Sequence, residues 1–214
     1  VVARRMQRLD MAGVGGRLRL PMRLPPLLRF AGLPLLLPVL LWQPPRPPVG
    51  EFDLLAADVG QGNAVLLRTA RHSLLYDAGP RYSLESDAGH RVLVPLLRAL
   101  GERPDTLVLS HRDSDHTGGA AAVLEMQPQL QLRGSLEPSH PLWALRPELP
   151  QRRCEAGQRW EWDGVQFEML HPVAQDYTRL AVRPNALSCV LRVSNARAAV
   201  LLPGDVERVQ EAAL

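Results

Sequence analysis

The segment SHRDSDHTGG, residues 110–119, concentrates side chains that can bind metal ions. Within six residues it holds two histidines and two aspartates: His111, Asp113, Asp115 and His116. Neutral imidazoles and carboxylates are ligands that Zn²⁺ and Mn²⁺ accept. Four such groups on one loop can serve two adjacent metal ions, which together stabilise the attacking and leaving oxygens of a hydrolysis. The spacing therefore predicts a two-metal hydrolytic site.

The alternative interpretation of this segment is a solvated polar loop whose Asp and Ser side chains act as caps. A single His or Asp favours that interpretation. Four of them, after an apolar strand and before two glycines, favour the metal site. We expect Gly118 and Gly119 to let the backbone approach the metal ions closely and to begin the next helix.

Apolar runs bounded by turn residues predict the elements that position this loop. A buried strand, DTLVLS at 105–110, leads directly into it, and three shorter strands come earlier. Helical spacing is found on both sides of the loop, in HRVLVPLLRAL at 90–100 and GGAAAVLEMQ at 118–127. The three earlier strands are FDLLAAD, NAVLLRT and HSLLYDAG.

The second half of the chain predicts hairpins. RWEWDGVQFEML, residues 159–170, has Asp163–Gly164 as a two-residue turn, and ALSCVLRV pairs with ARAAVLL further on. Residues 128–157 are rich in loop-forming residues, with short strands among them. Strands and helices in this order predict a sheet-rich α/β sandwich.

Charge divides the chain near residue 50. Residues 1–50 hold eight Arg and one acid, whereas residues 51–214 hold 17 Arg and 21 acids, a net charge of −4. The basic character therefore belongs to the N-terminal arm, 1–29, and the remainder has no general electrostatic signature of nucleic-acid binding.

An apolar stretch, 30–42, follows the basic arm. Its 13 residues are uncharged and apolar, and we interpret them as a candidate transmembrane or membrane-proximal segment. Because they are fewer than the ~20 that span a bilayer as a helix, a proline-rich hydrophobic linker is the alternative. Arg residues before it favour a cytoplasmic location for that side. QPPRPPVG, residues 43–50, predicts a stiff linker and a domain boundary.

The two cysteines, Cys154 and Cys189, have neither zinc-finger spacing nor a disulfide framework. We interpret Cys189 as a core residue of a strand and place Cys154 in a polar loop. They could pair in an oxidising compartment. The remaining histidines outside the strands are interpreted as solvated: His72, His90 and His140.

The 110–119 segment resembles the His-x-[His/Asp]-x-Asp-His signature of the metallo-β-lactamase superfamily. Further motifs follow in the order found in the C-terminal hydrolase domain of ComEC-type competence proteins: ADVGQGNAVLL, LLYDAG, FEMLHP, NALSCVL and AVLLPGD. This resemblance implies an αββα sandwich over residues 51–214. It also implies that the chain stops before the last metal-binding His and part of the second half-sheet.

The resemblance assigns roles to individual residues. His111 and Asp113 would bind one metal, Asp115 and His116 the other, with Asp205 of LPGD as the bridging carboxylate. Asp115 and His116 would be the catalytic pair.

Other positions surround this set in the resemblance. Asn185 stands near the place of a superfamily His and is a further ligand for a harder ion such as Mn²⁺. Asp77 would orient a ligating His. Asn63 replaces an Asp that the family commonly has, which weakens an electrostatic role there. The remaining expected pocket or supporting residues are Asp58, Gln61, Gly62, Ser188 and His171.

The resemblance implies a domain of a DNA-uptake protein that hydrolyses phosphodiesters of the strand not imported, using two divalent ions, Zn²⁺ or Mn²⁺. Its partners would be single-stranded DNA, the membrane channel domain of the same protein, other competence proteins and the bacterial inner membrane, on whose outer side the domain would lie. Two alternatives remain open: a hydrolase of a small ester or phosphoester, and a non-catalytic domain that binds DNA or gates the channel.

Overall fold

The computed structural model describes residues 34, 44–148, 150–179 and 182–214. The chain divides into two units, 1–42 and 43–214. The basic arm and the predicted membrane segment lie outside the described residues, apart from Pro34. Within the described part, no helix has the length and apolar character needed to cross a bilayer.

The described strands and helices agree closely with the sequence pattern. The strands are β1 (Asp53–Ala56), β2 (Val65–Arg68), β3 (Ser73–Tyr76), β4 (Arg81–Ser83), β5 (Ser86–Asp87), β6 (Thr106–Leu109), β7 (Gln131–Gly134), β8 (Gln151–Arg153), β9 (Arg159–Trp162), β10 (Val165–His171), β11 (Val190–Ser194) and β12 (Ala199–Leu202). The α-helices are α1 (Val94–Leu100, after a π-helical turn at Gly89–Leu93), α2 (Ser114–Thr117), α3 (Ala120–Met126), α4 (Pro141–Leu145) and α5 (Arg208–Glu211).

Two sheets form the body of the domain. The larger has the order β1-β2-β3-β6-β7-β8, and the smaller is the antiparallel sheet β12-β11-β10-β9. In the larger sheet β1, β2 and β3 are antiparallel neighbours, and β3, β6, β7 and β8 run parallel. The carboxyl ends of these four strands therefore meet at one edge of the sheet.

Alternate side chains of the central strands enter two different cores. In β6, Leu107 and Leu109 pack with helix residues such as Leu97 and Val123. Val108 faces the other way and packs between the sheets, with Phe167. Because helices cover one face of the sheet and the second sheet covers the other, the sequences of these strands are continuous apolar runs. The arrangement is a helix layer on one sheet that packs against a second sheet, which confirms the predicted α/β sandwich.

A disulfide joins the two sheets. Cys154, directly after β8, is bonded to Cys189, directly before β11, with 5.8 Å between their Cα atoms. Both side chains are buried, so Cys154 lies in the interior and not simply in a polar loop, and the two cysteines pair as the sequence allowed. Cys154 is carried inward because its amide hydrogen-bonds to the Gly134 carbonyl as an extension of the β7–β8 ladder.

Two segments differ from the predicted elements. The strand expected from Ala186 begins only at Val190, because Asn185–Leu187 form a 3₁₀ turn. The loop region 128–157 also contains α4, whose first turn is closed by the His140 side chain accepting a hydrogen bond from the Leu142 amide. His140 is therefore a helix cap and not a solvated loop residue, and burial lowers its pKa.

The proline-rich linker is held against the domain. Arg46 forms an ion pair with the buried Glu102 and lies within hydrogen-bonding distance of the carbonyls of Thr69 and His72. Thr69 and His72 lie just before β3, and the four residues of that strand separate His72 from Asp77. The sequence predicted a stiff linker but not this attachment.

The β9–β10 hairpin is confirmed, with Asp163 and Gly164 both at positive φ in the turn. The Asp163 carboxylate accepts hydrogen bonds from Thr69 Oγ1, the Arg71 amide and Arg71 Nε, each at 2.7 Å. Burial alone raises the pKa of Asp163, but the hydrogen bonds from Thr69 and Arg71 outweigh it and lower the pKa to about 2. The turn of one sheet is thereby attached to the other sheet.

We expect Asp163→Asn to lower the free energy of unfolding by about 2 kcal/mol at pH 7, because hydrogen bonds to an ionised carboxylate are lost. Asn tolerates positive φ, so the backbone of the turn is kept. The folded pKa lies below the unfolded value of about 3.9, so the stabilisation is full above that pH and disappears as the pH falls through about 2. Urea unfolding at several pH values should show the two proteins converging below pH 4, and a constant difference would contradict this account.

Candidate metal site

The metal-binding loop begins where β6 leaves the sheet. Ser110 and His111 follow the strand directly, and one helical turn, α2, then places His116 beside His111. The two imidazole rings have centroids 4.2 Å apart. His111 is 1% exposed and His116 3% exposed, so both imidazoles are held in the protein interior rather than on a solvated loop.

Asp77 is the anchor of this arrangement. It follows β3 at a φ of +60° and is fully buried. Its carboxylate accepts hydrogen bonds from the Ser110 amide at 2.7 Å, Ser110 Oγ at 2.9 Å and Asn63 Nδ2 at 3.1 Å. A left-handed backbone is uncommon for residues other than glycine but is tolerated by Asp. The carboxylate thereby connects the ends of β3 and β6 with the turn before β2.

Asp77 also determines how His116 is oriented. His116 Nδ1 lies 2.7 Å from Asp77 Oδ2, so the proton belongs on Nδ1 and the lone pair on Nε2. His111 Nδ1 lies 2.9 Å from Ser110 Oγ and 3.4 Å from Ser188 Oγ. His111 Nε2 is buried and has no hydrogen-bond partner among the described residues. Both rings therefore use Nδ1 for support and leave Nε2 for another ligand.

Three carboxylates surround the two Nε2 atoms. Asp205 Oδ1 is 3.4 Å and Asp115 Oδ2 is 3.8 Å from His116 Nε2, whereas Asp113 Oδ2 is 3.5 Å from His111 Nε2. Their side chains are 42–45% exposed, so each can reach both the imidazoles and solvent. Asp113 occupies the N-cap position of α2 but makes no side-chain capping bond, so its carboxylate is not used by the helix.

The donor set fits a divalent cation. One ligand atom from each of His111, His116 and Asp205 lies within 4.8 Å of the other two. The unpartnered Nε2 of His111 is the observation that decides the fit, because a buried polar atom without a partner is costly unless something binds it. The residues that would hold the ion are therefore His111, His116 and Asp205, with Asp113 and Asp115 beside them.

The two histidines have opposite pKa shifts. Burial and the neighbouring charge of His116 lower the pKa of His111. Burial acts in the same direction on His116, but its hydrogen bond with Asp77 and the charges of Asp77, Asp205 and Asp115 raise its pKa above the usual value. His111 is accordingly the readier of the two to present a neutral imidazole.

Gly119 directly precedes α3, so the prediction that the two glycines begin the next helix is confirmed. The close backbone approach that they allow is to other backbone atoms. A Cβ atom on Gly118 would lie 2.1 Å from the Arg81 amide nitrogen, and one on Gly119 would lie 2.3 Å from the Ala78 carbonyl oxygen. The glycines thus allow the segment between α2 and α3 to pack on the backbone after β3, rather than to approach a metal. Gly62 similarly packs against the Asp115 carbonyl oxygen, which a Cβ would meet at 2.3 Å.

Several predicted residues lie at the margin of the site. Asp58 and Gln61 are exposed, and Asp58 Oδ1 accepts a hydrogen bond from the Gly60 amide at 3.3 Å. Asn185 begins the 3₁₀ turn before Ser188 and is half-buried. Ser188 Oγ accepts from the Asp205 amide at 3.1 Å as well as contacting His111.

His171 is directed away from the metal-binding atoms. Its Nδ1 lies 2.9 Å from the Ser188 carbonyl oxygen and its Nε2 lies 3.4 Å from Asp176 Oδ2. Both ring nitrogens thus face other groups, and its role is to support the backbone at Ser188.

Ser110 is a supporting residue that sequence reasoning did not assign, and Asn63 makes a contact that it did not predict. Ser110 Oγ contacts Asp77 and both histidines, at 2.9–3.2 Å. Its position directly before His111 was the available signal. An Asp at position 63 would set a second carboxylate against Asp77, whereas the Asn63 amide donates to it. The Asn63 side chain therefore complements the negative charge of Asp77 as a hydrogen-bond donor.

Two packed sheets place His and Asp residues beyond the ends of β3 and β6, an arrangement suited to a metal-binding protein. The chain belongs to the metallo-β-lactamase superfamily, whose family model matches residues 57–177. Members of this fold typically bind divalent metals such as zinc and are generally metal-dependent hydrolases.

Relatives among characterised proteins agree with the predicted resemblance to competence proteins. Competence protein ComA of Neisseria gonorrhoeae is 39% identical over 176 residues, which cover 81% of this chain and 22% of that protein. Recombination protein 2 of Haemophilus influenzae is 34% identical over 173 residues, with 81% and 20% covered. The chain spans about a fifth of the length of these relatives.

Two solved structures are partly similar to this chain. A metallo-β-lactamase with a HARLDQ motif from Cronobacter sakazakii has 19% identity and a TM-score of 0.46, covering 83% of this chain and 62% of that one. The metallo-β-lactamase fold protein YhfI from Bacillus subtilis has 16% identity and a TM-score of 0.46, with 71% and 61% covered.

Proposed function

We propose that this domain hydrolyses phosphodiester bonds of DNA during DNA uptake and degrades the strand that is not imported. The observation that carries the proposal is the pair of buried imidazoles whose free Nε2 atoms meet Asp205 at an exposed edge of the domain. The likeness to competence proteins supports DNA as the substrate.

The side chains of the site have different roles in the proposed reaction. A divalent metal, when bound by His111, His116 and Asp205, supplies positive charge for the phosphate and activates water. Asp77 keeps the proton of His116 on Nδ1 and so keeps Nε2 free. Asp115, half-exposed and beside His116, is placed to accept a proton from attacking water. Two divalent ions, Zn²⁺ or Mn²⁺, would use Asp113 and Asp115 as further ligands beside these three residues.

The proposed location is the outer side of the bacterial inner membrane, next to a channel domain of the same protein and other competence proteins. The buried disulfide between Cys154 and Cys189 supports this location, because disulfides persist in oxidising compartments and are rare in the cytosol. The strand to be degraded would be present on that side of the membrane.

Labelled single-stranded DNA incubated with the chain and Mn²⁺ or Zn²⁺ tests the proposal. We expect cleavage to fall at least ~100-fold in Asp115→Ala, since general acid–base catalysis contributes ~10²–10⁴-fold. Glu125→Ala, an exposed acid on α3, is the matched control and should cleave at the wild-type rate. Equal cleavage in the Asp115 variant would exclude this mechanism.

A second candidate is hydrolysis of a small ester or phosphoester. The net charge of −4 on residues 51–214 favours it, because a surface that binds DNA is usually basic. A hydroxyacylglutathione hydrolase of Erwinia tasmaniensis is also 35% identical over 68 residues. Turnover of a glutathione thioester without DNA cleavage would favour this candidate, and DNA binding without turnover of either would favour a non-catalytic domain.

A further inference from the structure

Beside the metal site, a groove follows the edge strand β8. It consists of two adjoining cavities, of ≈ 110 Å³ and ≈ 270 Å³, which share Leu136, Pro138 and Arg153. The smaller cavity is also lined by Arg112, Tyr177 and Leu187, and the larger by Trp143 and Arg152.

One end of the groove adjoins the metal-binding loop. Arg112 lies between His111 and Asp113 in the chain, and Leu187 precedes Ser188, whose hydroxyl contacts His111. Arg153 ends β8 in register with Gly134, which in turn pairs with Leu109 at the end of β6. The groove thus begins at the same sheet edge as the metal site and leads away from it.

The groove is positively charged within an acidic domain. Its lining contains three arginines, Arg112, Arg152 and Arg153, and one acid, Glu137, which is paired with Arg112. Residues 51–214 as a whole have four more acids than arginines. A local concentration of the opposite sign attracts an anionic ligand to this groove.

The Arg153 guanidinium is positioned by an aromatic ring and can bind an anion. Its guanidinium lies 4.4 Å from the centre of the Tyr177 ring, and Tyr177 is fixed because its hydroxyl donates to the Cys154 carbonyl at 2.7 Å. Among the described residues, neither Arg152 nor Arg153 has a carboxylate partner. Stacked guanidinium groups with unused N–H donors are suited to phosphate.

A neighbouring arginine adds repulsion that an anion would relieve. Arg133 on β7 is paired across the strands with Arg152 and lies 4.3 Å from the centre of the Trp160 ring. Burial and the charge of Arg152 both lower the pKa of Arg133. The positive charge of Arg152 is therefore felt by its neighbour on β7, and an anion bound at Arg152 would be attracted by both guanidinium groups.

We propose that this groove binds the backbone of a single-stranded polynucleotide and leads it to the metal site, with Arg152 and Arg153 contacting phosphates. The inference rests on the proposed function and names the substrate-binding surface for it. The two cavities, ≈ 110 Å³ and ≈ 270 Å³, are each smaller than the ~300–1,000 Å³ of pockets that enclose a whole small molecule, and this favours a ligand that extends along the groove. Aromatic rings along a basic groove are typical of single-strand binding.

Binding without metal tests the groove separately from hydrolysis. Fluorescence anisotropy with labelled oligothymidylate in EDTA compares wild type with Arg152→Gln/Arg153→Gln. We expect Kd to rise at least ~10-fold, and the slope of log Kd against log salt to fall by about 1.4, since each phosphate contact on a single strand contributes about 0.7.

Arg98→Gln/Arg103→Gln is the matched control, because it removes the same charge from exposed residues at the opposite end of the sheet. Its Kd should stay within twofold of wild type. An equal loss in both double variants, or no oligonucleotide binding by wild type, would overturn the proposal. Mn²⁺-dependent hydrolysis of labelled single-stranded DNA and of bis(p-nitrophenyl) phosphate by the wild type measures the proposed function separately. Groove-dependent binding without hydrolysis of either substrate would contradict the proposed function but not the groove.

Discussion

Replacement of Asp77 by alanine is expected to lower both metal affinity and stability. Metal affinity should fall about 10–100-fold, the range found when a residue that orients a ligating histidine is removed. The free energy of unfolding should fall by about 3–5 kcal/mol, because the buried Ser110 amide and the His116 Nδ1–H lose their acceptor. Alanine also tolerates the positive φ of this position poorly.

Asp77→Asn separates the two effects. Asparagine accepts positive φ and keeps one acceptor oxygen for Ser110, so most of the stability should remain. The negative charge that supports His116 is lost, and Zn²⁺ affinity should still fall about 10-fold. Titration calorimetry with Zn²⁺, on samples shown to be folded by circular dichroism, measures this. A folded Asn variant with wild-type affinity would show that Asp77 contributes to folding alone.

Loss of the disulfide is expected to be the most destabilising change away from the metal-binding residues. Cys154 and Cys189 are 35 residues apart, and closing a loop of that size corresponds to about 4 kcal/mol of restricted unfolded-state entropy. Cys154→Ala/Cys189→Ala keeps apolar side chains in the buried site, so the effect reports mainly the lost bond.

Guanidinium unfolding with and without dithiothreitol provides the control within each protein. Reduction should shift the wild type toward the double variant, which has no bond to lose and should not respond. A wild type that is indifferent to reductant would contradict the pairing. The metal site should also loosen, because Cys189 follows Ser188, which contacts both His111 and the Asp205 amide.

The sequence predicted those features that depend on local patterns. The buried strand before His111, the short helix after it and the Asp163–Gly164 hairpin follow from periodicity and turn chemistry within about ten residues. The grouping of His111 with His116 followed in the same way, since one loop carries both. The place of Asp205, 89 residues beyond His116, came only from the family resemblance.

The features that were missed depend on contacts distant in sequence. Nothing near Gly118 or Gly119 indicates that their neighbours are the backbone atoms of Arg81 and Ala78 rather than a metal ion. Cys154 lies among polar residues, and only the pairing of β8 with β7 carries it inward. Partner choice of this kind is determined by tertiary packing, which a single sequence does not display.

The attachment of Arg46 means that a force on the linker acts at one end of the larger sheet. Residues 44–50 are fastened where β3 begins, and the metal site lies where β3 ends, about 13 Å along the strand at ~3.3 Å per residue. A force transmitted through residues 44–50 therefore acts on the larger sheet where β3 begins. The candidate metal site lies at the other end of this strand, away from the attachment of Arg46.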